Sequence, residues 1–140
     1  MNKRTEELVN ELKECSSISD YIMENESQFL ELSPAEYIEI LMKKKGLKKI
    51  DIVKHAKLSE VYTYQILAGM KNPDRDKLLC ILFALKAEVA EADCLLRIAG
   101  KAELYAKNRR DTVIMFALSK QLSIDETNDL LYELEQETLL

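Results

Sequence analysis

Glycine and proline are scarce in this chain, three and two residues out of 140. A sheet of many short strands needs more turn-forming residues than that, and the abundance of Leu, Glu, Lys and Ala favours an all-α fold. Cysteine is also scarce and odd in number (Cys15, Cys80, Cys94), with no CxxC spacing. A disulfide framework or zinc ribbon is therefore not expected, and the thiols read as small core residues of a reducing compartment. No apolar run approaches the roughly 20 residues of a membrane-spanning helix. The N-terminal MNKRTEELVNELKE carries charge where a secretory signal needs an apolar stretch. A cytoplasmic protein with no membrane partner is the expectation. The single histidine, His55, removes most metal and nucleophile schemes and reads as a surface or boundary residue. HExxH, Cys–His pairs at ligand spacing and glycine-rich phosphate loops are all missing. No catalytic residue, metal ligand or cofactor is expected, and the many paired carboxylates read as solvated helix faces.

What is present is unevenly distributed. The chain has the length of one domain, or one domain with an extension, and its net charge of −5 conceals a partition. Residues 1–42 carry 3 basic and 10 acidic side chains, residues 43–77 carry 10 and 4, and residues 78–140 carry 7 and 11. A segment of net +6 between acidic flanks suits a local polyanion contact, because long-range attraction would be screened and cancelled. Alternatively, Lys43 to Lys45 simply complement the dipole of their own helix before Gly46.

Helix signals run the length of the chain. TEELVNELKE (5–14) places Leu8 and Leu12 at i, i+4. SSISDYIMENESQFLEL offers Ser17 as a cap and an intermittent stripe of Ile18, Tyr21, Ile22, Phe29 and Leu30. Ser33-Pro34-Ala35-Glu36 is a capping box with proline at the first helical position, and Gly46 ends that helix in the left-handed conformation. Then come two short helices separated by a tight turn, with Ile50 and Val53 to Ala56 on one face of the first. Ser59 caps the second, which carries Val61, Tyr62, Ile66 and Leu67 and ends at Gly69. Lys57 occupies the turn position where glycine is usual, and so must tolerate a positive φ. Asn72-Pro73-Asp74 opens a further helix bearing Leu78, Leu79, Ile81, Leu82 and Leu85, and another spans Val89 to Ala99.

The tail echoes the segment before it. RDKLLCILFAL (75–85) with VAEADCLL (89–96) resembles RDTVIMFAL (110–118) with IDETNDLL (124–131). The RD and LL ends align at an offset of 35 and the FAL triplets at 33, so the match needs compensating gaps. It suggests a helical hairpin repeated once, the second packed on the first. Ser123-Ile124-Asp125-Glu126 is another capping box, and Leu130, Leu131 and Leu134 form a face that is either core or a dimer seam.

The segment from Ser33 to Leu96, and within it LKKIDIVKHAKLSEVYTYQILAGMKNPDRDKLLCILFAL, resembles the Cro/Xre-type (lambda-repressor-like) helix-turn-helix domain. Ser59, Ile66, Gly69, Asn72-Pro73 and Leu78 stand at that family's spacing. The tail from Asn108 resembles the extension of a clostridial-type subgroup of Xre regulators. The resemblance implies a helix-turn-helix bundle over residues 33–100. Helices over 1–32 precede it, and a C-terminal helical hairpin over 101–140 packs on it. It implies a positioning helix at 48–56 and a recognition helix at 60–67. Carried over by position, the DNA-contacting residues are Lys49 at the start of the positioning helix, Ser59, Glu60 and Val61 in the first exposed turn of the recognition helix, Tyr64 and Gln65 one turn on, and Lys71 and Asn72 in the following loop. Gln65 could pair with adenine, Glu60 could accept from cytosine N4, and Val61 could touch a thymine methyl. The recognition helix lacks Arg and Lys, and Thr63 takes a position that is usually apolar. Tyr62 reads as partly core, and Tyr64 as either a phosphate contact or a plain surface aromatic.

The implied function is a DNA-binding transcriptional regulator, a homodimer on a two-fold double-stranded site. The alternative is an adaptor that uses the same scaffold to bind a protein partner without DNA.

Overall fold

A computed structural model describes residues 3–24 and 32–140, and the regular elements among them are all α-helices. Helices α1 (Thr5–Glu14) and α2 (Ile18–Glu24) belong to a unit spanning residues 1–31, in which the Tyr21 hydroxyl donates to the Leu8 carbonyl at 3.1 Å. The rest of the expected stripe, Phe29 and Leu30, lies outside the described residues.

The second unit, residues 32–140, contains α3 (Pro34–Lys45), α4 (Lys49–His55), α5 (Glu60–Leu67), α6 (Arg75–Ala84), α7 (Val89–Ile98), α8 (Arg109–Ser119) and α9 (Ile124–Glu133). Helix α3 starts where its cap dictates. The Glu36 N–H donates to the Ser33 hydroxyl and the Ser33 N–H to the Glu36 carboxylate, each at 3.2 Å. It ends at Gly46, whose φ of +66° is left-handed. Ile38, Leu41 and Met42 face inward. The lysines at its C-terminus are not all left to solvent: Lys44 and Lys45 each reach Glu91 of α7 at 3.0 Å. Burial raises the Glu91 pKa, but hydrogen bonds from the Glu88 N–H and from both ammonium groups outweigh it and hold it at about 2.

Helix α6 is the centre of the core. Every residue from Leu78 to Ala84 is buried, which requires a helix apolar all round, with α4 packed on one side and α7 on another. Of the three thiols only Cys80 is fully buried, and burial pushes it up to about 12. Cys15, the extended residue that ends α1, and Cys94 of α7 are only half-buried, which corrects the reading of all three as core.

The echo in the tail is a gap-free duplication. Arg75 Nε donates to the Ala102 carbonyl at 2.9 Å and Arg110 Nε to the Glu137 carbonyl at 2.7 Å. Arg75 Nη2 donates to the Glu103 carbonyl, and Arg110 Nη2 to that of Thr138. Asp93 accepts from the Leu104 N–H at 2.8 Å, and Asn128 from the Leu139 N–H at 2.7 Å. Each contact recurs at a constant separation of 35 residues (75 to 110, 93 to 128, 104 to 139). The FAL triplets therefore do not correspond. Phe83 is buried whereas Phe116 is 51% exposed, and the residue equivalent to Phe116 is Ile81. The two arginines also bind the halves to each other: Arg75 grips Asp111 through two bonds of 3.0 Å, and Arg110 grips Asp76 at 2.9 and 3.0 Å. Such bidentate pairs are strong and geometrically selective.

Candidate nucleic-acid interface

The loop between α4 and α5 is set by three residues. Lys57 adopts φ +60°, Leu58 packs against the core, and the Ser59 hydroxyl accepts from the Tyr62 N–H at 3.2 Å. Thr63, unexpected at an apolar position, is fully buried and donates its hydroxyl to the Ser59 carbonyl at 2.8 Å. The polar group is thus satisfied locally and its methyl can pack. The same device recurs at the start of α9, where Gln121 has φ +54° and the Thr127 hydroxyl donates to the Ser123 carbonyl at 2.7 Å. The shared pattern x-Leu-Ser-x-x-x-Thr (57–63 and 121–127) is legible in the sequence once the structure points to it.

With Thr63 and Ile66 inward and Tyr62 and Leu67 packed at the core's edge, the outer side of α5 is left to Glu60, Val61 and Tyr64. Val61 is 68% exposed, a high value for an apolar side chain. Gln65 is half-buried at the margin of this strip, and Ser59 stands exposed at its start. Lys77 from α6 lies over the Tyr62 ring, 5.2 Å from its centre, so Tyr62 is occupied from within the fold.

The cations of this segment fall into two groups. Lys43, Lys44, Lys45, Lys57, Arg75 and Lys77 pair with carboxylates, Lys57 with Asp125 at 3.3 Å. Among the described residues Lys48, Lys49, Lys54 and Lys71 have no such partner, and all four are exposed. Lys48 and Lys49 border a cleft of about 320 Å³ floored by Ile38, Met42, Leu47 and Leu67. That cleft brings the start of α4 beside the end of α5, with Lys71 and the exposed Asn72 just beyond. The expected residues thus divide into the outer strip of α5 (Ser59, Glu60, Val61, Tyr64, with Gln65 at its edge) and a cationic margin (Lys49, Lys71, with Asn72). Lys48, which lines the cleft, extends that margin, and Lys54 is a further exposed lysine of α4. Their charge was countable in the sequence, but their lack of a partner depends on which carboxylates the fold brings near.

Among the described residues no group of His, Cys, Asp and Glu is placed to hold a metal ion, and no helix is long and apolar enough to cross a membrane. Tyr37, raised well above its usual range by burial and by its hydrogen bond with the Cys94 thiol, stays protonated. Comparisons with protein-family models, curated proteins and solved structures found no match to this chain.

Proposed function

We propose that this chain is a DNA-binding transcriptional regulator of the Cro/Xre type, α4 being its positioning helix and α5 its recognition helix. The observation that carries the reading is the conjunction on one segment: an outer strip of α5 with no part in the core, and four exposed lysines with no carboxylate partner among the described residues. Lysines that a fold leaves unpaired are the ones able to neutralise phosphates and release counterions. In this arrangement Lys49, Lys71 and Asn72, with Lys48 and Lys54, hold the duplex backbone. Ser59, Glu60, Val61, Tyr64 and Gln65 meet base edges, where Gln65 pairs with adenine and Val61 touches a thymine methyl. Glu60 repels phosphate and accepts from cytosine N4, so it contributes selectivity at the expense of affinity.

The test is fluorescence anisotropy with random and genomic duplexes across a salt series. Four phosphate contacts per protomer should give a log–log slope of about −3 to −4 for each protomer bound. Lys49→Ala should reduce its magnitude by about one and weaken all sequences alike. Absence of binding at low salt would refute the reading. The adaptor alternative draws on Val61 and on Met70, 72% exposed, which put two large apolar side chains on the same stretch. Capture of a protein partner that survives Lys49→Glu and Gln65→Ala, without DNA binding, would favour it.

A further inference from the structure

The duplication places a covered surface and an uncovered one in direct correspondence. In α6 and at its C-cap, Leu78, Ile81 and Leu85 are wholly buried, with α4 packed on the helix and Lys77 reaching the Tyr62 ring of α5. The equivalent positions of α8, 35 residues on, are Thr112, Val113, Phe116 and Lys120. Val113 is only half-buried and Phe116 and Lys120 are exposed, so among the described residues of this unit no further hairpin covers α8. On α9, Leu130 is half-buried where its counterpart Leu95 is fully buried, and Leu134 is 56% exposed. Val113 and Leu134 line a cleft of about 360 Å³ rimmed by Lys107 and Arg109. Hairpin α8–α9 thus presents an apolar face, with Phe116 and Leu134 exposed, where its sister hairpin is covered.

We propose that a second copy of this chain covers the α8–α9 face, so that two protomers meet through an isologous interface. The covering of the sister hairpin supplies the shape: helices of this chain already seat on the equivalent surface of α6. Charge supplies the choice of partner. Among the described residues, Arg109, Lys120 and the rim residue Lys107 on the α8 side make no ion pair, and neither do Asp129 and Glu133 on α9. Lys120 does no more than lie over the Phe116 ring at 5.9 Å. Cations flank one helix of the hairpin and anions the other, and a two-fold axis that sets α8 of one copy against α9 of the next satisfies both sets at once. The leucine face left open between core and seam is divided between them: Leu131 is wholly buried, while Leu130 and Leu134 reach the surface. The inference does not depend on DNA binding.

The full chain should sediment as a dimer, with twice the 16.1 kDa mass of one chain. Phe116→Asp, at an exposed position, should raise the dimer dissociation constant by at least about thirtyfold, as for a central aromatic anchor. Two charge-reversed variants then test the two-fold arrangement: Arg109→Glu with Lys120→Glu, and Asp129→Lys with Glu133→Lys. Each alone opposes like charges and should be monomeric. Mixed one to one, they should form a heterodimer, because each α8 then meets an α9 of opposite sign. These positions are all exposed, so the mixing result decides the matter even if Phe116→Asp fails to fold. A monomeric wild-type chain, open-ended higher oligomers, or variants that neither dissociate alone nor combine when mixed would overturn the proposal.

Discussion

Hairpins α6–α7 and α8–α9 have corresponding turns, corresponding arginine clamps on their trailing segments and corresponding side-chain acceptors for the Leu104 and Leu139 N–H groups. They differ in what surrounds them. In the first, α6 is buried from Leu78 to Ala84, whereas the second leaves Phe116 of α8 and Leu134 exposed. The comparison teaches that the backbone scaffold is specified by a few polar contacts repeated at fixed spacing, whereas burial is specified by neighbours.

The reciprocal arginine–aspartate pairs give the sharpest way to break this comparison. Asp111 is buried and accepts from Arg75 and from the Tyr105 N–H, whereas Asp76 is partly exposed. Arg75→Ala strands a buried carboxylate and should cost about 3–5 kcal/mol. Arg110→Ala leaves a carboxylate that water can reach and should cost about 1–2 kcal/mol by chemical denaturation. Equal losses would mean that the two pairs are energetically equivalent and that Asp76 is as enclosed as Asp111.

The same contrast extends to apolar positions. Ile81→Ala, at a site with no exposure, should destabilise by about 2–5 kcal/mol. The equivalent Phe116→Ala should cost less than about 1 kcal/mol under monomeric conditions. A large loss for Phe116 at low protein concentration would place it inside the fold of one chain.

The smallest of the three effects is one of pH. Glu91 and its counterpart Glu126 both accept from the N–H of their capping residue, at 2.9 and 3.0 Å, but only Glu91 also has two lysines. Its folded pKa lies below the ordinary 4.5, at about 2, so the stabilisation is complete above about pH 5 and is lost as pH falls towards 2. Glu91→Gln should remove on the order of 2 kcal/mol at neutral pH and flatten the acid limb of the stability curve. An acid limb in the Glu91→Gln variant as steep as that of the wild type would contradict the role given to Lys44 and Lys45.

Helix positions were legible in the sequence because they depend on local chemistry. The Ser33 box, Gly46, Ser59 and the Ser123 box act within one turn of chain, and α3, α5 and α9 begin or end where these residues require. The duplication was visible too, but its register was not. Matching FAL to FAL compares residue letters, whereas Arg75, Arg110, Asp93 and Asn128 align by the carbonyls and N–H groups they bind. For the candidate site, Ser59, Glu60, Val61, Tyr64 and Gln65 are what the family resemblance implies by position. Which lysines are unpaired does not, since Lys44 and Lys57 are matched by Glu91 and Asp125 far along the chain.

Helices α5 and α9 start from the same Leu-Ser turn and the same buried threonine, yet α5 is bordered by Lys48, Lys49, Lys54 and Lys71, and α9 by Asp125, Asp129 and Glu133. On the proposed function, charge and exposure rather than the turn direct nucleic-acid contact. The direct measurement is a titration of the isotope-labelled full chain with duplex DNA, followed residue by residue through its amide resonances. Shifts should concentrate at residues 48–49, 54, 59–65 and 71–72 while α9 stays unmoved. Shifts centred on α9, spread evenly over the chain, or absent at low salt would contradict it.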